Sequence, residues 1–558
     1  MAWKTVSARA RTGRMNCWCF SSDMHGRLKK KSVLFCQMMS NIQARDWRCS
    51  KCWKNGLDQQ IYGEYSIMAK VRRNYQILVY SQAFVSSPDC DCACAYTPCT
   101  ESAPLVVRGA NYRASGSARP FPLLNDWQGI FLPDGASPLI VLNDPAYELW
   151  SRFRDGESPD LAALDAPAQQ AVQEMLAAGL LQPEHKHPKA TAGRQQSAIL
   201  SAWVHLTDKC NLRCDYCYLP HKREDMSLET GLAAVDAVFR SAVRHGYQKV
   251  KLKYAGGEPL LRFDLIQELH PYAQKLAAEH GLELDGVVLS NGTLLTQSTI
   301  ENLKSLNLRL MVSLDGVGGW HNTQRPYAGG RGSFEDVAAG IKLAQAHGIT
   351  PQISITVSGR NAAGLPEVIE WVLERKLPFS INFYRQNAFS KQHEDLKLEE
   401  KKIIAGMGAA LEVIERNLPE HSLLASLTDR ANLAVPHERT CSAGRDYLVF
   451  NQHGGVAKCQ MQMGEPLTDL HVEDPLTIIR EDKLGLQNLT VDEKEGCRDC
   501  PWKHYCAGGC PLETYRATGR YDVKSPNCAI YRAIFPEVLR VEGLRLIRQA
   551  EKQAVAVR

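Results

Sequence analysis

From residue 198 to residue 417 two apolar periods alternate. Short runs rich in aliphatic and β-branched side chains read as strands over Ile199–Leu206, Lys249–Tyr254, Gly286–Ser290, Leu308–Leu314, Gln352–Val357 and Phe379–Tyr384. Between them, apolar residues three and four apart predict amphipathic helices over Leu228–Arg244, Leu261–Glu279, Gln297–Leu306, Phe334–Ala346 and Leu365–Arg375. Six such units predict an α/β fold with a parallel sheet, either open or a partial (β/α)6 TIM-type barrel. Function in such folds gathers at the C-terminal ends of the strands. The distinctive residues fall there: Cys210–Cys217 after the first strand, Gly256-Gly-Glu-Pro after the second, Ser290-Asn-Gly after the third and Ser313-Leu-Asp-Gly at the fourth.

Residues 105–184 carry a separate pattern. Gly129-Ile-Phe-Leu and Pro138-Leu-Ile-Val-Leu flank a Pro-Asp-Gly turn, as in a hairpin. Asn143-Asp-Pro then opens a helix with Ala146, Leu149, Trp150 and Phe153 on one face, and a second helix, Ala166–Ala178, stops at Gly179. This predicts a small N-terminal α+β, winged-helix-like domain, followed by a polar linker over 185–197 and a barrel domain over 198–430. Residues 437–530 are rich in cysteine and turns, with one hairpin predicted from Tyr447–Asn451 and Val456–Cys459, so metal ligation would substitute there for an apolar core. A helix over Ile530–Gln553 closes the chain and occupies most of the segment 531–558.

Composition narrows the class. Hydrophobic residues at 44% and charged residues at 23% are ordinary for a soluble globular protein. The longest apolar runs, Ala198–Val204 and Leu308–Leu314, are too short to span a bilayer, and no apolar stretch follows the basic start. A cytoplasmic protein with no membrane partner is therefore expected. The net charge of +5 is uneven: residues 1–67 carry 12 Lys/Arg against 4 Asp/Glu. A basic segment of this kind can touch nucleic acid. Its weak periodicity favours an extension over 1–104, or an upstream start with Met68 as the alternative beginning, and no nucleic-acid partner.

Cysteine changes the picture most. A long chain without a secretory signal uses clustered cysteines as metal ligands or redox groups. The 19 cysteines fall into five before residue 53, four over Cys90–Cys99, three over Cys210–Cys217 and seven from Cys441 to Cys528. The spacing C-x3-C-x2-C of Cys210, Cys214 and Cys217 suits a [4Fe–4S] cube with one iron left open. A zinc site with a remote fourth ligand, or three unpaired core cysteines, is the competing reading.

Over about residues 198–385 the chain resembles the radical S-adenosylmethionine superfamily. The resemblance implies that Cys210, Cys214 and Cys217 hold the radical-generating cluster and that Tyr216 lies beside the cofactor. It further implies that Gly256, Gly257 and Glu258 receive the methionine ammonium, that Ser313 and Asp315 face the ribose, and that Arg325 pairs with the methionine carboxylate. These donor types match those groups chemically. The implied chemistry is reductive cleavage of S-adenosylmethionine to a 5′-deoxyadenosyl radical that abstracts hydrogen from a substrate.

Farther on, Cys441, Gly454 and Cys459 precede Cys497-x2-Cys500-x5-Cys506-x3-Cys510, with Cys528 last. This resembles the seven-cysteine SPASM domain, which binds two auxiliary [4Fe–4S] clusters, three in the chain altogether. The resemblance assigns Cys497, Cys500, Cys506 and Cys528 to an outer cluster and Cys441, Cys459 and Cys510 to an inner one. Since Ser442–Lys458 holds no cysteine, the inner cluster would have an open iron able to take a substrate thiolate. A zinc ribbon is the alternative. Residues 105–182 resemble a PqqD-like peptide-recognition domain, in which a leader peptide adds as a strand. Cys90, Cys92, Cys94 and Cys99 match no family motif; they can ligate a metal, supply the missing inner ligand, mimic a cysteine-rich substrate, or be incidental thiols. The pair Cys49 and Cys52 is assigned nothing.

The resulting expectation is an oxidoreductase that matures a ribosomally made precursor peptide, supplied with electrons by a flavodoxin or ferredoxin. Formylglycine generation on a sulfatase and a non-enzymatic zinc-binding scaffold are the alternatives. No catalytic base is identified.

Overall fold

The computed structural model describes residues 75–80, 111–135, 137–157, 159–184 and 197–556, together with three strands nearer the N-terminus. The chain divides into a unit over Met1–Tyr65 and a unit over Ser66–Arg558. In the first, β1 (Lys4–Ala10), β2 (Gly13–Cys19) and β3 (Leu34–Phe35) form an antiparallel sheet. The expected featureless extension therefore contains a hairpin, whose brief alternation with few large apolar residues gives a weak sequence signal. Met68, Cys49, Cys52, Cys90, Cys92, Cys94, Cys99 and the linker 185–196 lie outside the described residues.

The second unit begins with the small α+β domain. Strands β4 (Ile77–Val79), β5 (Tyr112–Ala114), β6 (Arg119–Pro122), β7 (Trp127–Phe131) and β8 (Leu139–Asn143) precede helices α1 (Asp144–Arg154) and α2 (Ala166–Ala177), and β9 (Leu181–Pro183) ends it. The main sheet runs β4-β8-β7-β6, all antiparallel, while β5 pairs with β9. Asn143 explains two of these elements at once. Its Oδ1 caps α1 by accepting from Ala146 N at 3.2 Å and pins the approach to β4 by accepting from Gln76 N at 3.0 Å. The domain thus includes a strand that starts 28 residues before the expected boundary at 105, because three residues, Ile77–Val79, are too few to show a period. Leu142, Trp150, Phe153, Val172 and Met175 fill its core.

The barrel follows. Strands β10 (Ile199–His205), β11 (Lys249–Ala255), β12 (Glu283–Ser290), β13 (Arg309–Ser313), β14 (Gln352–Val357) and β15 (Phe379–Phe383) are parallel and adjacent in chain order. They alternate with α3 (Leu228–Arg244), α4 (Phe263–His280), α5 (Gln297–Ser305), the short α6 (Gly319–Asn322), α7 (Phe334–Ala346) and α8 (Leu365–Glu374), with α9 (Glu400–Arg416) beyond. Strands β10 to β15 are not closed on each other, so the barrel is partial.

The predicted hairpin, β16 (Tyr447–Phe450) and β17 (Gly455–Ala457), is present, and β18 (Thr468–Asp469) extends it. Its first strand does more than turn back on itself. Strand β16 lies parallel to β10, with Ser201 to Val204 opposite Tyr447 to Phe450, so the cysteine-rich segment continues the barrel sheet. Helices α10 (Pro475–Glu481), α11 (Lys503–Cys506), α12 (Pro511–Thr518) and α13 (Cys528–Ala556) complete the chain. The last packs on α9 and, through Gly543, against Leu123 and Val141 of the small domain.

Candidate functional site

The loop after β10 carries Cys210, Cys214 and Cys217, and neighbouring backbone fixes its path. Arg213 N donates to Pro326 O at 2.8 Å, Asp215 N to Gln324 O at 3.1 Å, and Cys217 N to Cys214 O at 3.0 Å. The Gly256-Gly257 pair at the end of β11 lies against the approach to this loop. Gly257 N donates to Thr207 O at 2.7 Å and Glu258 N to Lys209 O at 2.9 Å. A Cβ on Gly256 would stand 2.6 Å from Thr207 O, and one on Gly257 would stand 2.3 Å from Lys209 O. Only glycine allows the second strand end to seat the cysteine loop.

Glu258 is fully buried and its carboxylate is occupied. Oε1 accepts from Ser290 Oγ at 2.8 Å and Leu260 N at 3.0 Å, and Oε2 accepts from Asn291 N at 2.7 Å. It staples the end of β11 to the end of β12, and burial raises the carboxyl above its ordinary range. Asn291, which the sequence singled out only as part of Ser290-Asn-Gly after the third strand, reaches the cysteine loop itself: Nδ2 lies 2.8 Å from Asn211 Oδ1 and 3.9 Å from Cys210 Sγ.

Tyr216, Asp315 and Arg325 come together although 99 and 109 residues separate the tyrosine from the other two. Tyr216 Oη donates to Asp315 Oδ2 at 2.6 Å, Arg325 Nη1 donates to Tyr216 Oη, and Arg325 Nη1 lies 3.7 Å from Asp315 Oδ2. Burial raises the Asp315 carboxyl, and it works against the Arg325 charge too, where the Cys214, Tyr216 and Asp315 groups outweigh it. Arg325 Nε is buried with no hydrogen-bond partner. Ser313 ends β13 half-buried, two residues before Asp315.

A layer of residues beneath this group was missed in the sequence. Asp315 Oδ1 accepts from Thr356 N at 2.8 Å, and Asn361 Nδ2 donates to Asp315 O at 2.6 Å. His321 accepts from Asp315 N at Nδ1 (3.2 Å) and faces Ser333 Oγ through Nε2 (3.0 Å), while Ser333 Oγ donates to Arg325 O at 2.5 Å. This bonding defines a neutral imidazole, and burial lowers its pKa to about 3.

The seven later cysteines fall into two neighbourhoods. Cys441, Cys459 and Cys510 pack around Ala443, Leu486 and Leu512. Burial pushes the Cys459 thiol up to about 11, with Cys510 and Cys441 as its charged neighbours. Cys497 has Cys528 and Cys500 beside it, and Cys506 has Cys497 and Cys528; burial pushes these two thiols up to about 11 and about 12. Desolvation likewise pushes the half-buried Cys210 and Cys217 up to about 11 and about 12. Thiols held protonated in this way release protons on binding metal. Among the described residues no three His, Cys, Asp or Glu side chains converge as a single metal ion requires.

Trp502, between Cys500 and Cys506, stacks on Phe131 of the small domain with centroids 4.3 Å apart, and Tyr505 Oη donates to Pro133 O at 3.3 Å. No helix among the described residues is long and apolar enough to cross a membrane.

Residues 204–372 match the Radical SAM superfamily. Fe-coproporphyrin III synthase of Methanosarcina barkeri is 31% identical over 207 residues, 35% of this chain and 47% of that protein. The antilisterial bacteriocin subtilosin biosynthesis protein AlbA of Bacillus subtilis is 25% identical over 348 residues, 59% of this chain and 71% of that protein. In fold, the chain is similar to anSMEcpe with bound AdoMet and Cp18Cys peptide, at 19% identity and a TM-score of 0.52, covering 62% of this chain and 98% of that one. Residues 204–372 carry a Radical SAM domain, so the chain contains the core of an enzyme of that kind, which implies a [4Fe–4S] cluster and S-adenosylmethionine.

Proposed function

We propose that the chain is a SPASM-type peptide maturase that oxidises a ribosomally made precursor. S-Adenosylmethionine presents an ammonium, a carboxylate and ribose hydroxyls, and the buried, unpartnered Nε of Arg325 beside Asp315 and Tyr216 is a donor set that fits such a molecule. On this reading Cys210, Cys214 and Cys217 hold the radical-generating cluster, Gly256, Gly257 and Glu258 shape the methionine end, and Ser313 and Asp315 take the ribose. The bound cluster and cofactor supply a carbon radical able to abstract hydrogen. The protein's own groups orient the cofactor and shield it from water, as the burial of Glu258, Asp315 and Arg325 suits them to do.

Cys497, Cys500, Cys506 and Cys528 would hold an outer cluster, and Cys441, Cys459 and Cys510 an inner one, giving the substrate's electron a path out. The observation that carries the peptide reading is the stack of Phe131 on Trp502, which seats a small α+β domain against the outer cysteines. Such a domain can take a leader peptide as an added strand. It also weighs against formylglycine generation, where an upstream recognition domain is not expected. The reductant would be a flavodoxin or ferredoxin, and the compartment an anoxic cytoplasm.

A tetrapyrrole substrate is the second reading, favoured by the identity with Fe-coproporphyrin III synthase. Anaerobic reconstitution followed by S-adenosylmethionine, dithionite and, in parallel, a synthetic precursor peptide or iron coproporphyrin tests both. Deoxyadenosine with loss of two hydrogens from the peptide supports the maturase. Deoxyadenosine formed with an unchanged peptide and a changed iron coproporphyrin supports the other.

A further inference from the structure

Lys494 is 1% exposed, with the Glu493 carboxylate as a charged neighbour. Its Nζ donates to Ala507 O at 2.7 Å. Its stem crosses Gly508, where a Cβ would stand 2.5 Å from Lys494 Cδ and 2.9 Å from Nζ, so glycine is needed for the ammonium to pass. Ala507 and Gly508 lie in the turn that joins Cys506 to Cys510. Thr440, next to Cys441, reaches the same turn: its Oγ1 is 3.0 Å from Ala507 O and 2.6 Å from Gly509 O. Cys497 N donates back to Lys494 O at 3.1 Å. The backbone flanking Cys441, Cys497, Cys506 and Cys510 therefore meets around this one cation.

An ammonium taken out of water needs an opposite charge nearby. Burial disfavours the charge of Lys494 and outweighs the groups acting in its favour, which include Cys497, Cys506, Cys441 and Cys510, two from each neighbourhood, beside Glu493. Lys524 and Arg532 neighbour the outer cysteines, and Arg430 neighbours Cys459 of the inner group.

We infer that Lys494 is a shared positioning residue whose positive charge sets the reduction potentials of both auxiliary clusters. The inference rests on the two-cluster reading of the seven cysteines. A cation fixed between two sites stabilises the more negative, reduced form of each, raising both potentials together.

The test is an anaerobic redox titration, followed by electron paramagnetic resonance, of the reconstituted wild-type protein and of Lys494→Arg, Lys494→Gln, Lys494→Met and Lys524→Met. Iron and sulfide are assayed in each. In Lys494→Gln and Lys494→Met, both auxiliary clusters should become at least tenfold harder to reduce, about 59 mV for one electron. The cluster on Cys210, Cys214 and Cys217 should keep its potential. Lys494→Arg should preserve both potentials, and Lys524→Met should move the outer one alone. Glutamine retains a donor for Ala507 O, so unchanged potentials in Lys494→Gln would overturn the inference. Loss of auxiliary iron from Lys494→Arg as complete as from Lys494→Met would also overturn it, because packing would then be the residue's role. Wild-type protein with iron and sulfide for fewer than three clusters would instead refute the two-cluster reading itself.

Discussion

Tyr216 donates a 2.6 Å hydrogen bond to Asp315, tying the cysteine loop after the first barrel strand to the end of the fourth. Asp315 is buried and Tyr216 half-buried, and the Arg325 guanidinium also bonds to the tyrosine oxygen. A hydrogen bond to a buried carboxylate is worth about 1.5–3 kcal/mol, so Tyr216→Phe should weaken cofactor binding by about tenfold or more. Calorimetric titration of the reconstituted protein with S-adenosylmethionine checks this; iron content should not change, since the phenol is no ligand.

Gly257→Ala should damage the cluster site without touching a cysteine. The new methyl would stand 2.3 Å from Lys209 O, which is backbone with no rotamer to yield, and must push the cysteine loop away. The expected result is loss of iron from the Cys210 site, read as a drop in iron content and in deoxyadenosine formed. Gly246→Ala, with open space around its Cβ, is the control for the site, although its positive φ of 70° carries its own strain.

Phe131→Ala should unseat the small domain. The ring is 2% exposed and lies on Trp502 and Tyr505. Removal of a buried phenyl ring costs about 3–5 kcal/mol. Hydrogen exchange should rise across residues 127–143 and 500–506 while β10 to β15 keep their protection. Unchanged exchange at 500–506 would show that the stack does not hold the two regions together.

Asp474 carries a pH dependence with a defined sign. It is buried, yet Thr477, His245 and Ser241 donate or lie within bonding reach at 2.6, 2.7 and 2.8 Å, and these contacts outweigh burial to hold its carboxyl at about 2. A carboxyl depressed on folding stabilises above its unfolded value, about 3.9, and loses that contribution as pH falls toward the folded value. Urea unfolding of Asp474→Asn should show a deficit of about 2 kcal/mol at pH 7. The gap from wild type should be constant down to pH about 4 and narrow below it.

How much was legible depended on how local the signal was. The strands Lys249–Tyr254 and Gln352–Val357 and the helices Leu228–Arg244 and Phe334–Ala346 lie where their apolar periods put them, because strand and helix faces are set by spacing along the chain. The loop cysteines and Gly256-Gly257-Glu258 were legible for a similar reason: each is a short motif at a strand end. Strand Ile77–Val79 was not, since its three residues acquire meaning only when they pair with Ile140–Leu142. The roles of Asn291, His321 and Asn361 were hidden too, because a buried polar residue is defined by partners distant in sequence.

By itself, then, the sequence determined the alternation of strands and helices, the residues at the strand ends and the spacing of ten cysteines over 210–528. These are properties of neighbours along a chain, where covalent geometry limits what each residue can do. Tertiary structure decided that β16 would continue the barrel sheet beside β10 and that Phe131 would rest on Trp502. It likewise decided that Glu258 would staple two strands and that Lys494 would lie among four cysteines from two groups. Burial, charge pairing and strand addition are settled by atoms that meet in space, and residues hundreds of positions apart share no local pattern that could announce the meeting.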